Sequence, residues 1–195
     1  MTDPRDTIFD AARTAKGGGF TQAQVDDIHG ALDRAGVPRE TNLTDIPGDY
    51  WPMLSKIESG DRPYIKANTS SASGLYQFVR ATWISEGGKW GEDMYQAFGG
   101  LRPPVEEQLA RAKTFTEKNA AALRAKGIPI NKASLYAAHF FGAGTAAKVI
   151  GADVDARADL IAGEAATKAN PSILKNKTVG QFLTWLHGKT GAWAR

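Results

Sequence analysis

Along most of the chain apolar side chains recur every third or fourth residue, and glycine or proline breaks the pattern at intervals, which predicts a succession of helices. Ile8, Phe9 and Ala12 mark a short helix over residues 6–16, ended by Gly17-Gly18-Gly19. Thr21 and Gln24 read as a capping box before Val25, Ile28 and Leu32, and Gly36 with Pro38 closes that second helix. The two form a helical hairpin over residues 1–42. Residues 38–48 are linker-like, so the main domain is expected over residues 43–195. In it Tyr50, Trp51, Leu54 and Ile57 form a stripe that Gly60 and Pro63 end just past Glu58.

The strongest helical pattern runs over residues 104–126, from Pro103-Pro104 to Gly127 and Pro129, with Val105, Leu109, Ala112, Phe115 and Leu123 on one side. Its charges, Glu106, Glu107 and Arg111 among them, read as a solvated face. Asn131 is placed to cap a helix carrying Leu135, Tyr136, Ala138, His139 and Phe140, which Gly142 and Gly144 interrupt before Lys148-Val149-Ile150. Two or three short helices follow from Asp153. Asn170-Pro171 starts one, Thr178 caps the last, and Phe182, Trp185 and Leu186 close the core. The glycine- and aromatic-rich stretch from Ile84 to Pro103, with Trp90, Tyr95 and Phe98, fits either a lobe edge of stacking rings or simple burial.

With 195 residues, 42% of them hydrophobic, the chain can bury roughly 70% of its unfolded surface without a disulfide or metal staple. It has no cysteine and three scattered histidines, so no metal site and no cofactor is expected. A formal charge of +3 suits an anionic polymer but is too small and too dispersed to argue for nucleic acid. No apolar run approaches transmembrane length, and the first twenty residues are too charged for the apolar core of a signal peptide.

Chemistry concentrates between Lys56 and Trp83. Glu58 falls in the last turn of its predicted helix, where the negative end of the dipole disfavours ionisation and where Trp51, Leu54 and Ile57 desolvate a carboxyl group. Both effects raise its pKa toward what a general acid needs. The same position also fits a plain solvent-facing Glu. Ala67 to Ser73 read as a loop, and Gly74 to Phe78 then interleave apolar and amide side chains. Tyr76 offers a flat face to a pyranose ring, and Gln77 offers paired donor and acceptor groups. A structural reading, with Leu75 and Phe78 as core and Gln77 at the surface, fits the same periodicity.

Glu58-Ser59-Gly60, a gap containing Pro63 and Asn68, then Ser73-Gly74-Leu75-Tyr76-Gln77-Phe78 resembles the signature of the soluble lytic transglycosylases and goose-type lysozymes. The family pattern has Gly-Leu-Met-Gln, and here Tyr76 stands at the Met position. A weaker resemblance covers Leu135 to Gly144, similar to the family's Ala-Tyr-Asn-Ala-Gly-x-Gly element, with His139 and Phe140 at the Tyr and Asn positions. The resemblance spans roughly residues 45–150.

It implies a mainly α, lysozyme-like helical domain with at most a small β-element near residues 65–74. It also implies cleavage of the β-1,4 bond between N-acetylmuramic acid and N-acetylglucosamine in peptidoglycan, with Glu58 as acid and then base. Ser73, Gly74, Tyr76, Gln77, Tyr136 and His139 are the implied substrate-binding residues, and whether Tyr136 or His139 supplies the polar contact near the cleaved bond stays open. A two-carboxylate glycosidase needs a second acid about 5–9.5 Å away. Asp61, Glu86, Glu92 and Asp93 carry no motif, which favours a lytic transglycosylase giving 1,6-anhydro products. A hydrolytic muramidase and a noncatalytic wall-binding virion protein are the rivals. A wall enzyme that lacks a signal peptide is expected to be phage-encoded, made in the host cytoplasm, and released by a membrane-opening partner or delivered with the virion. The hairpin is expected to pack on the catalytic domain, with separate wall binding as the alternative.

Overall fold

The computed structural model describes residues 45–195 and, nearer the N-terminus, residues 8, 11, 12, 14, 15 and 22–35. The chain divides into two compact units, Met1–Leu43 and Thr44–Arg195. In the first, helix α1 spans Gln22–Arg34, with Ile28 and Leu32 half-buried. The predicted capping residue Thr21 and the stripe residue Phe9 lie outside what is described.

The second unit is helical almost throughout. Its elements are α2 (Tyr50–Ser59), α3 (Arg80–Ser85), a 3₁₀ turn (Ala97–Gly100), α4 (Val105–Arg124), α5 (Lys132–Phe141) and α6 (Ala143–Gly151). Four short helices then follow: α7 (Ala158–Ala162), α8 (Glu164–Ala169), α9 (Pro171–Leu174) and α10 (Val179–Thr190). The sequence pattern had suggested two or three. Gly163, with φ +90°, splits one expected segment into α7 and α8. The fold is thus mainly α, and among the described residues its β structure is limited to isolated bridges.

Helix α5 is the axis. Leu135, Tyr136, Ala137 and Ala138 are all buried, so the helix is apolar nearly all round and packs against α4, α6 and α10. Its start is fixed by a capping box in which the Asn131 side chain accepts from the backbone of Ala133 and Ser134 at 3.0 Å each. Gly142, at φ +78°, ends α5 and lets α6 leave in a new direction. The last helix, α10, begins with the box formed by Thr178 and Gln181 and buries Phe182 and Leu186 completely.

Helix α2 lies against α4, and Leu54 on its inner face is fully buried. Beyond it the chain makes a compact loop rather than a sheet. Lys66 pairs with Ser73 and Ser73 with Phe78 as single bridges. A cluster of rings supports this loop from below, with Trp83 and Phe98 4.7 Å apart between centroids and Phe78 5.9 Å from Trp83. Of the aromatics in the glycine-rich stretch, Phe98 is therefore core and Trp90 packs beside it, whereas Tyr95 is 85% exposed.

Candidate active site

Glu58 sits in the last full turn of α2, one residue before Ser59 ends it. Gly60 takes the left-handed conformation (φ 60°, ψ 40°) and its N–H closes onto the Lys56 carbonyl at 3.1 Å. The remaining helix-end groups are taken up locally. The Ser59 hydroxyl donates to the Ser55 carbonyl at 3.0 Å, and Arg62 Nε donates to the Ser59 carbonyl at 2.7 Å. The chain can therefore turn sharply away while the Glu58 carboxyl stays directed at its neighbours across the fold.

Those neighbours are phenols. Burial pushes the Glu58 pKa above the ordinary carboxylate value, while a hydrogen bond from the Tyr136 hydroxyl and the charge of Lys189 pull it partly back. Burial also raises Tyr136, followed by the negative charge of Glu58 and the shared hydrogen bond. Tyr50, fully buried at the start of α2, is raised by burial and then by Glu58 and Tyr136. At neutral pH both phenols keep their protons. Tyr136 is held in place by its ring, which stacks on Trp185 with centroids 6.0 Å apart and an interplanar angle of 30°. Tyr136 is thus a core residue by its ring and a site residue by its hydroxyl. Among the described residues no other carboxylate is one of the groups acting on Glu58. Asp61 is three residues on, held at φ 61°, with its Oδ1 accepting from Ser55 Oγ at 2.6 Å, and its charge acts on Tyr76 instead.

His139 is brought elsewhere. Its Nε2 lies 3.0 Å from the Tyr76 carbonyl oxygen, and because that partner only accepts, Nε2 carries the proton. Burial holds the imidazole well below its ordinary pKa, at about 4, so it is neutral. Its ring is packed edge-on to Phe78 and Phe115. His139 therefore ties α5 to the 73–78 loop, and of the two candidates it is Tyr136 that reaches Glu58.

Ser73, Gly74 and Tyr76, the substrate-binding residues that the resemblance implied, are built into the loop. The Ser73 hydroxyl donates to the Ser71 carbonyl at 2.9 Å and accepts from the Phe98 N–H at 3.2 Å, and the residue is fully buried. Gly74 has φ +78°, and a Cβ there would lie 2.4 Å from both Gln108 Oε1 and Phe98 Cζ. Tyr76 is 5% exposed. These residues are consumed in building the loop, because a chain this tightly turned must find partners for its own buried polar groups. Gln77 has a left-handed backbone (φ 48°), and its Nε2 donates to the Gly74 carbonyl at 2.9 Å.

Sequence reasoning missed two residues. Lys189, on the last turn of α10, is separated from Glu58 by most of the chain, and nothing in the sequence links them. Gln108, a polar residue on α4, is 1% exposed. Its Oε1 accepts from Leu75 N–H at 2.9 Å, and its Nε2 donates to the carbonyls of Pro63 and Pro103 at 3.1 Å each. The available signal was its spacing, four residues before Ala112 on the buried stripe. Among the described residues no group of His, Cys, Asp and Glu is placed to hold a metal ion, and no helix is long and apolar enough to cross a membrane. No protein-family model matches this chain.

Proposed function

We propose that this protein cleaves the β-1,4 bond between N-acetylmuramic acid and N-acetylglucosamine in peptidoglycan, as a lytic transglycosylase. The observation that carries the reading is a carboxyl group, desolvated and raised in pKa, whose hydrogen-bond partner among the described residues is a phenol rather than a second acid. Glu58 in its protonated form donates to the glycosidic oxygen as the bond from the muramyl C1 breaks. The substrate's own N-acetyl oxygen stabilises the developing cation, which removes the need for a protein nucleophile. The Glu58 carboxylate then accepts the proton of the muramyl 6-hydroxyl while that oxygen bonds to C1, and the enzyme regains its starting state. Tyr136 fixes the carboxyl group and bonds to its ionised form between the two steps. The motif from Glu58 to Phe78 supports the choice of substrate through its resemblance to the lytic transglycosylases and goose-type lysozymes.

Digestion of purified peptidoglycan followed by mass spectrometry tests this. Muropeptides ending in 1,6-anhydromuramic acid, one water lighter than hydrolysis products, are expected. Reducing-end muramic acid would instead identify a hydrolase on the same scaffold. Wall binding without any cleavage, unaltered in Glu58→Gln, would identify a noncatalytic wall-binding component.

A further inference from the structure

A cavity of about 450 Å³ opens beside the 64–66 segment, with neither Glu58 nor its phenol partners in its lining, within the size range of small-ligand sites. Two tyrosines, Tyr64 and Tyr95, and two cations, Lys66 and Arg102, line it, and no acidic residue does. The Arg102 guanidinium carbon lies 4.5 Å from the centre of the Tyr64 ring, which fixes the plane of its donors. Neither cation is in an ion pair of the described residues. Lys66 Nζ is committed to the carbonyls of Ala67 and Ser70 at 3.1 and 3.0 Å, so Arg102 is the cation with donors to offer.

Tyr95, 85% exposed, stands on a stiff loop at the rim. Asp93 Oδ1 accepts the Tyr95 N–H at 2.9 Å and Oδ2 accepts Gln96 Nε2 at 2.8 Å, which turns that carboxylate into its own loop. Below it, Gly91 and Gly99 cross so closely that a Cβ on Gly91 would sit 2.2 Å from the Gly99 carbonyl oxygen. An open phenol face beside an unpaired, pre-oriented guanidinium suits a sugar ring that bears a carboxylate.

We propose that this cavity is a second ligand site that takes the carboxylate-bearing side of a muramyl residue, with the ring against Tyr95 and the lactyl-linked peptide carboxylate on Arg102. The choice of muramyl ligand rests on the peptidoglycan reading above. The site would grip stem-bearing strands away from the cleaved bond and make neutral chitin-like strands poorer ligands.

The test is a titration of the full chain, followed by amide NMR shifts, with N-acetylmuramyl dipeptide and with neutral tri-N-acetylchitotriose. The dipeptide should shift resonances around residues 95–102. Arg102→Ala, which removes a charge-assisted bond, should weaken it by roughly tenfold or more, and Tyr95→Ala by a similar factor, with chitotriose affinity unchanged in both. Dipeptide affinity unchanged in both variants, or displaced as readily by inorganic phosphate at the same concentration, would overturn the site. Absence of glycan cleavage by the parent chain would overturn the catalytic reading while leaving this binding result standing.

Discussion

The two halves of the Glu58 to Phe78 stretch treat polar groups in opposite ways. Around Ser73 to Gln77 the polar atoms are matched to partners. Ser73 bonds to Ser71 and Phe98, Gln108 bonds to Leu75, Pro63 and Pro103, and His139 donates to Tyr76. Around Glu58 the matching is left incomplete, since burial outweighs the hydrogen bond from Tyr136 and the charge of Lys189. A satisfied network rigidifies, whereas an under-compensated carboxyl group holds a proton at a pH where an exposed one has lost it. The loop is matched within itself, and the helix end carries the carboxyl group with the raised pKa.

The sharpest break of this contrast is Glu58→Gln, which should lower peptidoglycan cleavage by about 10² or more, because the amide cannot deliver a proton. It should at the same time stabilise the fold. The folded-state pKa of Glu58 lies above its unfolded value, so its favourable contribution is present at low pH and is lost as pH rises through the folded value. The variant should therefore melt above the parent at pH 8 and close to it at pH 4. A variant less stable than the parent at pH 8 would show that the carboxylate is well compensated after all.

On the scaffold side, Gly74→Ala should cost about 3 kcal/mol or more, since it combines a left-handed backbone with two contacts at 2.4 Å. That corresponds to a fall in Tm of roughly 10 °C in a domain of this size, read by calorimetry. An unchanged Tm would mean that Phe98 and Gln108 move aside freely and that the loop is softer than its hydrogen bonds imply.

Smaller effects sharpen the electrostatics. Tyr136→Phe removes the hydrogen bond that lowers the Glu58 pKa, so the alkaline limb of the pH–rate profile should move to higher pH, with kcat reduced by about tenfold or less. Lys189→Met removes a charge acting in the same direction from an exposed position, where solvent screens it, so its limb should move the same way by less. A limb that moves to lower pH in either variant would reverse the sign assigned to that group.

The helices and their ends were legible along the chain because they depend on neighbours three or four residues apart. The stripe of Tyr50, Leu54 and Ile57, the stop at Gly60, the Asn131 cap and the Thr178 cap all stand where spacing put them. Glu58 was legible for the same reason, since its place in the last turn of a helix is a local property. The fates of the other candidates were not local. Ser73, Gly74 and Tyr76 belong to one short segment with His139 as its tie to α5, and only the packing of α4 and α5 beneath it decided that their polar atoms would be spent on the backbone. Tyr136 and His139 lie one helical turn apart on the same helix, so periodicity treats them alike. The stack on Trp185 carries one to Glu58, and the Phe78 and Phe115 rings hold the other beneath the loop. The sequence by itself determined where the longer helices run and where an acid sits at a helix end. The tertiary structure alone decided which polar groups meet, because hydrogen bonds and desolvation act over a few ångströms between elements that the chain order keeps far apart.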